Sequence, residues 1–107
     1  MELLDSSASI RQAAEAVLAS RCRTVFIVGE NGVLQGSITE GDLVRGFLSG
    51  MNTEASVRHL MNTNPLALDE DVTEEQAQSL MNSSGQSAMP VIDSHRRVVR
   101  VVKQTDL

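Results

Sequence analysis

The feature that most constrains this chain is that it repeats itself. A shift of 64 residues sets residues 3–43 against 67–107 without a gap. Identical residues then meet at Leu4 and Leu68, Asp5 and Asp69, Gln12 and Gln76, Ala13 and Ala77, Ser20 and Ser84, Asp42 and Asp106, and Leu43 and Leu107. Apolar character also matches where identity does not: Val17 meets Met81, Ala16 meets Leu80, and Ile27-Val28 meets Val91-Ile92. In 107 residues such a repeat implies two small, similar units sharing one core and leaves no room for a multidomain enzyme. Neither copy is long enough to bury a stable core alone.

Each copy opens with a helix. Ser9 and Thr73 are hydroxyl caps followed three residues later by Gln12 and Gln76, the pattern in which cap and third-residue side chains satisfy each other's orphan amides. Ile10, Ala13, Ala14, Val17 and Leu18 form a stripe of helical period; Ala77, Leu80 and Met81 form a narrower one. The carboxylates of Asp69, Glu70, Asp71, Glu74 and Glu75 surround the second helix start, where the helix dipole favours negative charge, and read as a solvated helix start rather than a metal site. Two strands follow each helix: 24–28 and 33–38 around Gly29-Glu30-Asn31-Gly32, whose Asn-Gly step signals a hairpin, then 89–92 and 98–102 around the turn Asp93-Ser94-His95-Arg96. His59 lies in a short helical stretch, 56–61, and neither it nor His95 has a catalytic partner in sequence.

Composition removes several functions. A net charge of -5 argues against nucleic acid and against an anionic membrane surface, and two Phe with no Tyr or Trp leave little to stack on bases. No apolar run reaches the length of a membrane span, and the N-terminus has no signal-peptide pattern. The single cysteine, Cys22, excludes an intrachain disulfide and a cysteine-clustered zinc site, and reads as a small, partly buried filler rather than a nucleophile, in a protein of the reducing cytoplasm.

The first copy continues where the second stops. Thr39-Glu40-Gly41-Asp42 is a third capping box, and Leu43, Val44, Phe47 and Leu48 give the following helix an apolar face before Gly50. The matching helix of the second copy would begin after Leu107, which predicts that the sequence is part of a longer protein. A strand running into a capped helix presents backbone N–H groups and a positive dipole end, a natural seat for phosphate. Thr39 can meet a phosphate or ribose oxygen, and Asp42 suits a ribose diol. From the box alone, the two residues read first as a helix cap. Arg45, one turn on, either reaches a phosphate or stands in solvent.

The segment Gly36-Ser37-Ile38-Thr39-Glu40-Gly41-Asp42-Leu43, with the repeat, resembles tandem cystathionine-β-synthase (CBS) domains, the Bateman module. Met89-Pro90-Val91-Ile92-Asp93 resembles a strand typical of these repeats, and residues 57–65 resemble the linker between them. The resemblance implies an α/β (α+β) fold of two pseudo-symmetric repeats, each a small sheet flanked by helices, with residues 1–60 and 61–107 as the two units. It implies a regulatory module, not an enzyme and without a cofactor, that binds an adenine nucleotide (AMP, ADP or ATP). The implied site comprises Thr39, Asp42, Arg45, Met89, Pro90 and Asp106, with the base in an apolar slot between repeats. It further implies a homodimer attached to a catalytic domain; the stretch from Thr39 to Arg45, Gly50-Met51 and 61–65 look like the CBS pairs of sugar-phosphate nucleotidyltransferases. A ligand-free dimerisation module is the competing expectation. The second copy departs from the motif: Arg100 stands at its Gly position and Lys103 at its Thr position, so at most one competent site is expected. Lys103 can pair with Asp106 or reach a phosphate.

Overall fold

The computed structural model describes residues 2–104 of the chain. Two three-stranded sheets carry the fold. The first has the order β1-β2-β3, formed by Leu3–Asp5, Thr24–Val28 and Leu34–Thr39; the second has the order β4-β5-β6, formed by Leu68–Asp69, Ala88–Ile92 and Val98–Lys103. In each sheet the outer strand runs parallel to the central one and the hairpin partner antiparallel. Helix α1 (Ile10–Ala19) crosses between β1 and β2, α2 (Glu40–Leu48) follows β3, and α3 (Glu74–Ser84) crosses between β4 and β5. The architecture is therefore the expected mixed α/β pair.

The 64-residue shift holds to the level of single hydrogen bonds. Thr24 pairs with Thr39 as Ala88 pairs with Lys103, and both hairpins slip register at the same step, between Ile27 and Val28 and between Val91 and Ile92. Both turns close alike: Gly29 N–H donates to Val33 O at 2.9 Å, and Asp93 N–H to Arg97 O at 3.0 Å. Gly32 and Arg96 take the same left-handed conformation, with φ of 75° and 62°. Glycine adopts it without strain; Arg96 is held in a turn whose Asp93 carboxylate accepts the N–H groups of His95 and Arg97 and the Arg97 Nε. Both capping boxes at the openings of α1 and α3 are formed.

Each sheet buries one face under its helices. Ile10, Ala13 and Val17 of α1 pack with Val25, Ile27 and Ile38; Ala77 and Met81 of α3 pack with Met89, Val91 and Val102. A side chain such as Ile27, with no exposed surface, contributes about 1.5–3 kcal/mol by leaving water. A third cluster joins the repeats: Cys22, Phe26 and Leu34 of the first meet Ala88 and Ile92 of the second. Val33 and Arg97, counterparts under the shift, bridge to each other, and Leu34 N–H donates to Arg96 O at 2.9 Å. The shared core is thus built around a pseudo-twofold axis.

The short outer strands β1 and β4 are additional to the elements the sequence predicts. The narrow apolar stripes leave apolar surface uncovered: Leu18, Val44, Phe47 and Leu48 lie at the surface. Among the described residues no helix is long and apolar enough to cross a membrane.

Candidate nucleotide site

Thr39 is the last residue of β3 and the cap of α2. Its extended backbone, φ -107° and ψ 168°, turns the chain from strand to helix and points its hydroxyl at the helix start. Thr39 Oγ1 accepts the N–H of Asp42 at 3.2 Å, and Asp42 Oδ2 accepts the N–H of Thr39 at 2.9 Å. The other carboxylate oxygen, Oδ1, accepts from Arg45 Nη2 at 2.7 Å. Asp42 is mostly enclosed, with 18% of its side chain exposed, while the Arg45 side chain is 72% exposed. An exposed ion pair of this kind adds little stability, so the guanidinium can leave Oδ1 at small cost.

Gly41 opens this corner. A Cβ at position 41 would lie 3.3 Å from Arg45 Nη1 and 3.7 Å from Thr39 Oγ1, so glycine lets the guanidinium fold over the helix start. Glu40 N–H is taken by Arg23 O at 3.1 Å, and Asp42 N–H by the cap. Among the described residues Gly41 N–H has no acceptor. One backbone donor, one guanidinium and one carboxylate oxygen therefore converge at a positive dipole end, a set that suits a ribose hydroxyl or a small anionic group.

The structure brings Thr39, Asp42 and Arg45 together. Met89 and Pro90 are fully buried strand residues, Met89 in the second repeat's core beside Val102 and Pro90 opposite Val101. Asp106 lies outside the described residues. Lys103, at the counterpart of Thr39, reaches into the other repeat and meets Glu2 Oε1 at 3.5 Å. Sequence reasoning missed that pair because Glu2 and Lys103 lie at opposite ends of the chain. It also missed Gly41, whose only signal was its place inside the capping box. Among the described residues there is no group of three or more His, Cys, Asp or Glu side chains able to hold a metal ion.

Comparison with known proteins adds independent findings. A family model described as CBS domain matches residues 3–49 and 57–107. The chain is 29% identical over 102 residues, 95% of its length, to an L-aspartate semialdehyde sulfurtransferase of Methanocaldococcus jannaschii, and 25% identical over 104 residues, 97% of its length, to a homoserine O-acetyltransferase of Methanocorpusculum labreanum. It spans about a fifth of the length of these relatives, 19% and 21%. Its structure matches the CBS domain pair of protein MJ0100 in complex with 5'-methylthioadenosine and S-adenosyl-L-methionine, with a TM-score of 0.79 and 29% identity over 97% of this chain and 85% of that one.

Proposed function

The chain belongs to the CBS domain family, and from that premise we propose that it is a regulatory module that binds an adenosine-containing ligand and does no chemistry on it. The observation that carries this reading is the corner at the start of α2. There Asp42 offers Oδ1 to a ribose diol, Gly41 offers an N–H, and Arg45 stands in reach of whatever the 5' position carries. The resemblance of the whole chain to a pair that holds 5'-methylthioadenosine and S-adenosylmethionine supports the adenosine moiety.

Electrostatics narrow the class. The chain carries a net charge of -5, and the cations at the corner are already paired, Arg45 with Asp42 and Arg23 with Glu40. An uncharged or cationic adenosyl compound meets less repulsion there than a triphosphate. S-Adenosylmethionine and 5'-methylthioadenosine are therefore placed ahead of AMP, and AMP ahead of ADP and ATP.

The module is read as a segment of an enzyme, whose state it reports through differential binding to two conformations. The sulfurtransferase and the acetyltransferase, each about five times longer, support an attached catalytic domain; neither is a nucleotidyltransferase, and that reaction class is left aside. The exposed Val44, Phe47 and Leu48 of α2, with Leu18 of α1, support a homodimer through these helices in a cytoplasmic protein.

Calorimetric titration with S-adenosylmethionine, 5'-methylthioadenosine, AMP, ADP and ATP tests the reading, with sedimentation of the same samples reporting the dimer. One of the first three ligands should bind saturably and stabilise the chain by about 2.7 kcal/mol at 100 times its dissociation constant. Asp42→Ala should abolish that gain. No binding at millimolar concentration by any of the five would leave a ligand-free dimerisation module in its place.

A further inference from the structure

Four of the chain's five methionines lie among the described residues, and they fall into two pairs. Met81 and Met89 are sealed in the second repeat, 1% and 0% exposed. Met51 and Met61 are half-buried, belong to the segment between the repeats, and pack against the core of the first.

Each of the second pair sits on a glycine. Met61 Sδ and Cγ lie 2.8 and 2.9 Å from where a Cβ of Gly36 would stand, so the thioether fills the room that the glycine leaves. Met51 Sδ lies 3.4 Å from the same point on Gly46, beside Leu60 Cδ1 at 3.0 Å. Gly36 belongs to β3 and Gly46 to α2, and both are buried. Two thioethers thus fasten one segment to a strand and to a helix. A thioether suits such seats because it is flexible and apolar.

The backbone around Met61 is already paired. Met61 N–H donates to Val57 O at 2.9 Å, Ser37 N–H to Asn62 O at 3.0 Å, and Asn62 N–H to Ser37 O at 2.9 Å, while Gly36 pairs with Ile27 in the hairpin. These groups are not at hand for an oxygen placed on the sulfur. A sulfoxide held in the seat would lose the hydrogen bonds it makes in water, which favours its leaving.

We propose that Met61, with Met51 behind it, is a reversible oxidation site that unlocks the segment between the repeats. The oxidant is a peroxide. The sulfur lone pair attacks one oxygen of hydrogen peroxide, the S–O bond forms as the O–O bond breaks, and the other oxygen leaves with the remaining proton as water. Sulfur is oxidised by two electrons and the peroxide reduced by two. The sulfoxide leaves Gly36, Asn62 parts from Ser37, and the loosening reaches Thr39, two residues further along β3, whose hydroxyl holds the Asp42 N–H. Oxidation of Met51 frees the same segment from Gly46 of α2. The unlocking needs no ligand, so it stands apart from the adenosine reading.

The test exposes the full chain to graded hydrogen peroxide, with peptide mass spectrometry and hydrogen exchange on the same samples. Sulfoxide should form at Met61 and Met51 roughly tenfold faster than at Met81 and Met89. As Met61 converts, exchange over 37–42 and 57–62 should quicken roughly tenfold, with 88–92 unchanged. Methionine sulfoxide reductases should restore the slow exchange. Met51→Leu with Met61→Leu keeps apolar contact at similar volume, and its exchange should ignore peroxide. Equal oxidation of all four methionines would overturn the proposal. So would sulfoxide at Met61 with unchanged exchange at 37–42, or a double variant that answers peroxide as the parent does, because Cys22 or another group would then be the target.

Discussion

Phe26 in the first repeat and Pro90 in the second hold the same place in two sheets of the same register, and the exchange runs outward to the sheet edge. Phe26 donates its N–H to Glu2 O at 2.7 Å, which helps carry β1 along β2 for three residues; Pro90 has no N–H to give, and β4 pairs with β5 over two. On the opposite edge Gly36 lets Asn62 close on Ser37, whereas at the counterpart, beside Arg100, the Val101 N–H meets no acceptor among the described residues. At the end of the hairpin Thr39 caps α2, whereas Lys103 crosses to Glu2. The interior, by contrast, is copied: hairpin slip, turn closure and capping boxes recur. Buried side chains and central ladder bonds constrain one another, so an exchange there disturbs many partners. Edge groups can be satisfied by water, by a linker or by another chain, so an exchange there changes what a repeat can hold without unfolding it.

The largest effect expected from breaking this asymmetry comes from giving the first repeat a side chain at its linker seat. Gly36→Val sets a Cβ 2.7 Å from a carbonyl already bonded to Ser37, and the linker has to move. A loss of about 2–3 kcal/mol is expected in urea unfolding. The reverse exchange, Arg100→Gly, removes an exposed strand residue and should cost under about 1 kcal/mol. Equal costs would show that the linker contact is not what separates the repeats.

A smaller effect sharpens the comparison from the side where the repeats agree. The α1 box holds 3.2 and 2.9 Å between Ser9 and Gln12, and the α3 box 3.1 and 3.0 Å between Thr73 and Gln76. Ser9→Ala and Thr73→Ala should therefore each cost about 1 kcal/mol, measured by thermal or urea unfolding. A clear inequality would show that the caps are coupled to the linker, which touches only the first.

The smallest effect is a dependence on acid. In the second repeat the Arg97 N–H, with the Arg97 side chain and the His95 N–H behind it, holds the Asp93 carboxyl below the ordinary 3.8; in the first, the Ser7 hydroxyl and N–H do the same for Asp5. A lowered folded value means that the folded state binds fewer protons than the unfolded one in the window between the two. Stability from each group is present above 3.8 and lost as pH falls through the lowered value. Asp93→Asn should flatten part of the acid limb of a urea-midpoint profile, and Asp93→Asn with Asp5→Asn more of it. An unchanged profile in the double variant would assign the acid limb to other carboxylates.

The site corner was legible in part. The box Thr39-Glu40-Gly41-Asp42 predicts the reciprocal cap that is found, because a cap depends on residues three apart. It could not reveal that Arg45 would fold over Gly41, which depends on the rotamer of a long exposed side chain. Met89 and Pro90 lie in the strand that the pattern predicts, and both are fully buried.

The sequence by itself determined the two-repeat organisation, the starts of α1, α2 and α3, and the strand at 24–28, because caps, helical stripes and β-branched runs act over a few residues and are written locally. The strand at 33–38 moved by one residue at both ends, to Leu34–Thr39, and those at 89–92 and 98–102 by one residue at one end, to Ala88–Ile92 and Val98–Lys103, where pairing with a neighbour sets the limit. Tertiary structure alone decided the short parallel strands β1 and β4, which are too brief to carry a pattern and exist only where a central strand lines them up. It alone decided that segment 53–62 closes over Ser37 and the start of α1, and that Lys103 answers Glu2. Each of these is a contact between residues far apart in the chain, and local chemistry has no means of specifying which distant group arrives.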